Sequence, residues 1–298
     1  MIRNYMNCIW GLLVLFVTNS SPVYALSTIP DKPQTASISL GAEFASGKYG
    51  TDTTTRSLYM PLIATWSPND RFDIGIEVPF IYQSNSNVTT NLFRDSQQTA
   101  TAVASVAKGG PGGTGGAFLQ PGVGGPGGAT SSGSPSSDVA GLGDIIFRLG
   151  VIALTENTTT PQIRPSVFIK FPTANKSDGL GTGEFDAGIG VELTKWLGDV
   201  HLTGEGMFNY QGRADGFGLK NYFSYTGGIG YQLTENIEPM MMVKGASAPS
   251  DYSSELLEVR ARLIWSLTSS TSLDLYGSHG IADSSPEYGG GIAVIYSF

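Results

Sequence analysis

Cysteine, histidine and charged residues are all scarce in this chain of 298 residues. The single cysteine, Cys8, precedes the first apolar run, so we expect neither disulfides nor cysteine chemistry in the rest of the chain. Charged residues make up 14% of the sequence, well below the roughly 25% of an average soluble domain. The 17 basic residues are outnumbered by 25 acidic ones, which argues against a nucleic-acid-binding surface. No later segment offers the roughly 18 consecutive apolar residues of a membrane-spanning helix, which excludes a helical membrane protein.

Residues 1–25 have the pattern of a secretory signal peptide. Arg3 supplies a positive charge, an apolar run extends from Ile9 to Val17, and small or turn-forming residues lead to Ala25. The run is too short to cross a bilayer, for which a helix needs roughly 20 apolar residues. We therefore expect residues 1–25 to be cleaved on export and residues 26–298 to form one domain, because a barrel can exceed about 250 residues as a single unit.

From Gln34 onward, apolar and polar residues alternate over segments of about ten residues, which is the pattern of a β-strand with one apolar face. Charged residues repeat along the opposite face in strand after strand, which is unusual for a soluble sandwich. Three segments show the alternation clearly. Their apolar faces are Ile163, Pro165, Val167, Ile169 and Phe171; Phe185, Ala187, Ile189, Val191 and Leu193; and Leu257, Val259, Ala261, Leu263, Trp265 and Leu267.

The spacing of these segments predicts an all-β protein, a transmembrane antiparallel up-and-down barrel of about 12 strands. Tight polar turns such as Leu197-Gly198-Asp199 alternate with longer connections, as periplasmic turns and outer loops do in bacterial outer-membrane barrels. An even strand number places both termini on the periplasmic side, and ten or fourteen strands are the alternatives. The twelve predicted strands begin near Gln34, Thr54, Arg71, Gly143, Pro161, Gly183, Asp199, Asn221, Ile237, Leu256, Thr271 and Glu287.

Aromatic residues near the predicted strand ends indicate girdles at the two membrane interfaces. The last strand also carries a lipid-facing stripe that ends on Phe298, similar to the segment of outer-membrane proteins that barrel-insertion machinery recognises. The lipid bilayer and that machinery are therefore predicted partners. The predicted girdle residues are Trp66, Tyr82, Trp196, Tyr210, Tyr222, Trp265 and Tyr288, and the stripe contains Tyr288, Gly290, Ile292, Val294, Tyr296 and Phe298.

Residues 84–140 interrupt the alternation, and the part from Lys108 to Thr130 is rich in glycine and proline. A segment with so few side chains to bury cannot offset its ordering entropy, so we predict a long Gly/Pro-rich extracellular loop. A small folded plug inside the lumen is the alternative. It would have to rely on few apolar groups, namely Val103, Val106, Phe118 and Leu119.

Two motifs carry a resemblance to a known family. Gly141-Leu142-Gly143-Asp144-Ile145 opens the fourth predicted strand, and Phe171-Pro172-Thr173 precedes Gly181-Thr182-Gly183 and Asp186. Together with the strand spacing, they resemble the phenol-degradation (MetA-pathway) family of outer-membrane transporters, from which the Gly-rich segment departs as an insertion. The resemblance implies an outer-membrane barrel that passes organic compounds, with Asp144 and Asp186 facing the lumen.

The predicted lumen face is the one place where the chain concentrates charge. Rows of opposite charge can set a transverse field that selects solutes. The same charges can instead pair across neighbouring strands and fill a narrow barrel without conduction. Further lumen acids are expected at Glu43, Asp73, Glu77, Glu238 and Asp274. The candidate pore-lining residues are Asp144, Arg148, Arg164, Lys170, Glu184, Asp186, Glu192, His201, Glu205, Lys244, Glu258, Arg260 and Arg262.

The two histidines, His201 and His279, are the candidates for the catalytic base of an outer-membrane lipase. Ser278 and His279 are neighbours on one strand, so their side chains point to opposite faces, and neither histidine has a partner at metal-ligand spacing. We therefore predict no enzyme, no metal and no cofactor. The predicted function is passive or facilitated passage of small organic molecules, with aromatic or hydrophobic ones implied by the resemblance. The alternative is a non-conducting barrel with a structural or surface-interaction role.

Overall fold

The computed structural model describes residues 35–49, 54–84, 138–214, 218–251 and 253–298. The predicted signal peptide and most of the predicted loop at 84–140 lie outside the described residues. In the described ranges, no helix is long and apolar enough to cross a membrane. These ranges contain thirteen strand segments: β1 (Ala36–Gly47), β2 (Thr55–Asn69), β3 (Phe72–Gln83), β4 (Val139–Leu142), β5 (Ile145–Val151), β6 (Gln162–Phe171), β7 (Asp186–Leu197), β8 (Val200–Tyr210), β9 (Tyr222–Tyr231), β10 (Ile237–Ala246), β11 (Leu256–Ser266), β12 (Thr271–Gly280) and β13 (Tyr288–Ser297).

The segments close into an antiparallel barrel of twelve strands. Each barrel strand pairs with its neighbour in sequence, and β1 also pairs with β13, which joins the two ends of the sheet. β4 and β5 count as one strand, because both pair with β3: β4 with residues 80–83 and β5 with residues 72–77. The extra residue between them forms a bulge at 143–144. Closure satisfies the backbone polar groups within the sheet, as hydrocarbon surroundings require.

The predicted strand positions are confirmed. The observed strands begin within three residues of the predicted positions, with one exception. The fourth strand starts earlier, at Val139, within the segment that the sequence predicts as loop. Short turns and long connections alternate around the barrel, so the long connections lie at the end opposite the two termini.

The two faces of the wall have the predicted chemistry. In β6, Arg164 and Lys170 are buried inside the barrel, whereas Val167 and Ile169 project outward with 40% and 47% of their surface exposed. The stripe on β13 and Phe298 also faces outward, as its exposed residues Tyr288, Ile292, Val294, Tyr296 and Phe298 show. This apolar exterior places the barrel in a lipid bilayer. Barrels of this kind are the membrane-spanning proteins of the bacterial outer membrane.

The prediction that aromatic residues form the interface girdles is wrong for two of the seven residues. Tyr222 is buried and packs against Ala246 and Leu256 inside the barrel. Trp196 shares the inward side of β7 with the buried Glu192 and Thr194, and it stacks on a lumen histidine. The other five residues lie on the outward side: Trp66, Tyr82, Tyr210, Trp265 and Tyr288.

Candidate functional site

The lumen holds almost all of the residues predicted to line it. Twelve of the thirteen candidates are buried inside the barrel. Glu184 differs, because it precedes the first residue of β7 and is only half-buried. The twelve are Asp144, Arg148, Arg164, Lys170, Asp186, Glu192, His201, Glu205, Lys244, Glu258, Arg260 and Arg262.

Acidic side chains outnumber basic ones in the lumen. The five further predicted acids, Glu43, Asp73, Glu77, Glu238 and Asp274, are buried there as well. Within the described residues, ten buried carboxylates therefore stand against six buried lysines and arginines. Because the surrounding wall and lipid have a low dielectric constant, this excess acts on any solute that enters.

Arg164 on β6 joins carboxylates from two other strands. Its Nε and Nη2 donate to the two carboxylate oxygens of Asp73 on β3, at 3.0 and 2.5 Å. Its Nη1 lies 3.6 Å from Oε2 of Glu192 on β7. The forked guanidinium suits this double contact with Asp73. All three side chains are buried, so the positive charge of Arg164 stabilises the two carboxylates and is stabilised by them.

Two further clusters lie in the lumen, one near the middle of the wall and the other near the long connections. Arg148 donates to Glu77 at 2.6 Å, and the hydroxyl of Tyr59 donates to the same carboxylate. Lys170 bridges Asp144 and Asp186, with Nζ–Oδ2 distances of 2.7 and 2.8 Å.

The second cluster also forms hydrogen bonds to two of the long connections. Asp144 accepts from the backbone N–H of Ala174 and Asp186 from that of Gly212, each at 2.9 Å. The bulge next to β5 positions Asp144 for these contacts. The ion pairs of Lys170 therefore tie two long connections to the lumen.

His201 lies near the end of the lumen where the short turns are. Its Nδ1 is 2.7 Å from Oε1 of Glu238, and its ring stacks on Trp196 with 4.4 Å between the centroids. In the described residues, no group of three or more His, Cys, Asp or Glu side chains is arranged to hold a metal ion. His279, by contrast, lies on the outward side, where its Nδ1 contacts the backbone oxygen of Glu287.

The wall formed by β11, β12, β13 and β1 contains further contacts of charged side chains. Arg260 pairs with Glu258 on its own strand and lies 4.5 Å above the ring of Tyr276. The Tyr276 hydroxyl donates to Glu43 at 2.7 Å. Arg262 donates from Nε to Asp274 on the adjacent strand at 2.9 Å.

These contacts run along the wall. The pairs described above join residues on the same strand, on adjacent strands, or on strands separated by one other. Three of them cross an intervening strand: Arg164–Asp73, His201–Glu238 and Tyr276–Glu43. At each crossing the intervening strand carries a glycine, and a Cβ there would overlap or press on the crossing side chain. The three glycines are Gly150, Gly230 and Gly291.

Large apolar side chains in the lumen use the same arrangement. Phe168 covers Gly188 on the adjacent strand, so that a Cβ at position 188 would overlap with its ring. A Cβ at Gly190 would lie 2.9 Å from Met207, and one at Gly228 would lie 3.0 Å from Met242. Side chains that would fill the lumen if they stood upright are thereby held against the wall.

Sequence reasoning misses several lumen groups. Tyr59, Trp196 and Tyr276 are not recognised as lumen residues, and neither is Thr194. Their position along the strand is the available signal: Trp196 and Thr194 are in step with Glu192, and Tyr276 is in step with Asp274. Composition alone assigns aromatic residues near strand ends to the membrane interface, which is why Trp196 is misplaced.

The closed twelve-stranded wall, its apolar exterior and its charged interior define a bacterial outer-membrane β-barrel protein. The family model for the MetA-pathway of phenol degradation matches residues 86–298. The chain belongs to this family, as the two motifs indicate. No curated protein matches the chain.

One solved structure shows the same fold, and two others are similar at lower scores. An outer membrane channel from Pseudomonas putida F1 is similar with a TM-score of 0.59 and 13% sequence identity, over 94% of this chain and 100% of that one. The monoaromatic hydrocarbon channel CymD has a TM-score of 0.46 and 12% identity, over 89% of each chain. The KdgM porin has a TM-score of 0.44 and 10% identity, over 88% of this chain and 99% of that one.

Proposed function

We propose that this protein is an outer-membrane channel for small organic molecules that are neutral or cationic, including aromatic and hydrophobic ones. The proposal depends on one observation: the lumen side chains described above contact one another along the barrel wall. Arg164, Tyr276 and Phe168 lie flat over glycines. A twelve-stranded barrel is intermediate between eight-stranded barrels filled by side chains and 16-stranded porins with a wide channel. Because these side chains lie flat against the wall, a narrow open passage is favoured over a filled lumen.

The charge of the lumen supports a preference between solutes. Ten buried carboxylates against six buried cations, counted over the described ranges, disfavour anions. Organic carboxylates should therefore pass less readily than uncharged molecules of the same size.

Apolar groups inside the barrel support an organic solute. Ile146, Phe168 and Met207 form one buried cluster, and Met240, Met242 and Ile264 form another. Such side chains do not help small inorganic ions to pass, whereas they offer contact area to an aromatic ring. The description of the family, which refers to phenol degradation, points to the same class of solute.

Planar bilayers test the proposal directly. We expect the purified, refolded barrel to give single-channel steps, and a salt gradient to give a reversal potential of the sign that reports cation preference. Near-zero exposure of lumen residues such as Ile264 and Glu77 is the observation that favours the alternative, a non-conducting barrel. A folded, heat-modifiable barrel that gives neither steps nor solute flux into liposomes would establish that alternative and overturn the proposal.

The domain organisation and the insertion partner belong to the same proposal. We propose that residues 26–298 form one barrel domain after removal of residues 1–25, with 84–140 as an extracellular loop whose last two residues already belong to β4. We also propose that barrel-insertion machinery binds the outward stripe ending in Tyr296 and Phe298, which are 48% and 59% exposed. Their rings pack edge to face with 5.0 Å between the centroids.

Replacing Phe298 by Ala should lower the amount of assembled protein in the outer membrane, because it removes the exposed aromatic end of the stripe. Heat-modifiability of membrane fractions on gels measures the assembled amount. The matched control is Ser297→Ala, which changes a buried inward residue next to it. Equal assembly of Phe298→Ala and wild type would contradict recognition through this side chain.

A further inference from the structure

We infer that the inward faces of β7 and β8 form a binding subsite for the hydrogen-bond-donating group of the solute, with a phenolic or alcoholic hydroxyl as the fitting chemistry. This inference rests on the proposed function and specifies which part of the lumen recognises the solute. The subsite is called the acceptor patch below and consists of Glu192, Thr194, Thr203 and Glu205.

The sheet register brings these four side chains together. Glu192 is paired with Glu205, and Thr194 with Thr203. Side chains of such pairs have Cβ atoms roughly 4.5–5.5 Å apart, and successive inward residues on one strand are about 7 Å apart. The patch therefore has the dimensions of one aromatic ring with its substituents.

Three members of the patch have polar atoms that make no hydrogen bond to the described protein groups, although Glu192 also lies 3.6 Å from Arg164. In the described part of the chain, the hydroxyls of Thr194 and Thr203 and both carboxylate oxygens of Glu192 have no hydrogen-bond partner. Thr194 and Glu192 are 2% and 1% exposed and Thr203 is 8% exposed. Buried polar groups without partners cost free energy, so a site that retains them is suited to a ligand that supplies the missing bonds.

Two apolar side chains adjoin the patch, Met207 on β8 and Met242 on β10. Met207 follows Glu205 on the inward side of β8 and covers Gly190, the inward residue before Glu192. On β9, a Cβ at Gly228 would lie 3.3 Å from the Thr203 methyl group and 3.0 Å from Met242. A solute can therefore place an apolar ring against the methionine side chains while its hydroxyl reaches the patch.

The charge pattern defines the class of solute. The facing carboxylates of Glu192 and Glu205 can accept hydrogen bonds from a solute. Arg164 donates its hydrogen bonds to Asp73 and contacts Glu192 only at 3.6 Å, so the patch stays acidic and disfavours anions. The patch therefore fits a neutral donor such as a phenol and rejects an aromatic carboxylate. A donor-free ether of the same shape would lose the hydrogen bond but keep the apolar contacts.

Binding can be measured without conduction, which separates this inference from the proposed function. Calorimetric titration of phenol and of anisole into barrels reconstituted in lipid nanodiscs, with empty nanodiscs as the blank, compares a donor with a donor-free analogue. We expect phenol to bind more tightly than anisole. In the double variant Thr194→Val and Thr203→Val this preference should fall by roughly tenfold, as expected for the loss of one or two hydrogen bonds.

The double variant should fold as well as wild type, because the two hydroxyls donate to no described protein group. Thr65→Val is the matched control: Thr65 is a buried inward residue on β2 whose hydroxyl also lacks a partner in the described residues. An equal effect of Thr65→Val, or an unchanged preference in the double variant, overturns the acceptor patch. Saturable phenol binding that depends on the two threonines, in a barrel without channel steps, supports the patch and removes the transport proposal alone.

Discussion

Replacement of Arg164 by Met is expected to lower the free energy of unfolding by about 3–5 kcal/mol, the range found when one partner of a buried ion pair is removed. Arg164 is 1% exposed and carries the charge that compensates both Asp73 and Glu192. Methionine keeps much of the side-chain volume but leaves the two carboxylates without that compensation. Urea unfolding in lipid vesicles, followed by tryptophan fluorescence, measures the difference.

Two control variants separate charge from packing. Adding Asp73→Asn to Arg164→Met removes one uncompensated charge and should recover part of the loss. Lys220→Ala breaks the Lys220–Asp251 pair, which is as short as 2.6 Å but has both side chains about half exposed, so it should cost only about 0–1 kcal/mol. If Arg164→Met cost no more than Lys220→Ala, the lumen pair would be solvated and would contribute little to stability.

The alternation of residues is sufficient to predict the wall of the barrel. A strand that separates lipid from lumen has to alternate, so each strand indicates its own position and its own inward face. For this reason the alternation alone places Arg164 and Lys170 inside the barrel, and the outward stripe ending in Phe298 is recognisable in the last strand.

Partners across the wall cannot be predicted in the same way. The contact between Arg164 and Asp73 depends on the register of three strands and on the open space over Gly150, which no single strand specifies. The bulge at 143–144 that turns Asp144 inward is likewise a property of the pairing with β3. Trp196 is misplaced because the frequency of aromatics at strand ends outweighs its position relative to Glu192.

The role of the glycines inside the lumen can be seen only from the strand register, because the register shows which large side chain lies over each of them. In the sequence, Gly188 is one small residue on a polar face, and its pairing with Phe168 explains why it is small. The cross-section of the passage therefore depends on these glycines, which leave room for larger side chains to lie against the wall. This suggests that channel width can be changed without altering a single charged group.

Gly188→Ala should lower single-channel conductance, because the new methyl group occupies the space of the Phe168 ring and turns the ring toward the lumen axis. If the ring cannot turn, the overpacking costs about 1–3 kcal/mol of stability instead. Current steps in planar bilayers and urea unfolding of the same preparation distinguish the two results. The double variant Gly188→Ala and Phe168→Ala should regain the conductance, since the obstructing ring is gone.

Gly227→Ala is the matched control for the added methyl group, because no atom beyond its two chain neighbours lies within 4 Å of a Cβ at that position. It should leave both conductance and stability close to wild type. A drop in conductance in Gly227→Ala as large as in Gly188→Ala, or failure of Phe168→Ala to restore it, would show that the width of the passage is set elsewhere. Recovery in the double variant alone assigns the effect to the Phe168 ring, and with it to the register between β6 and β7.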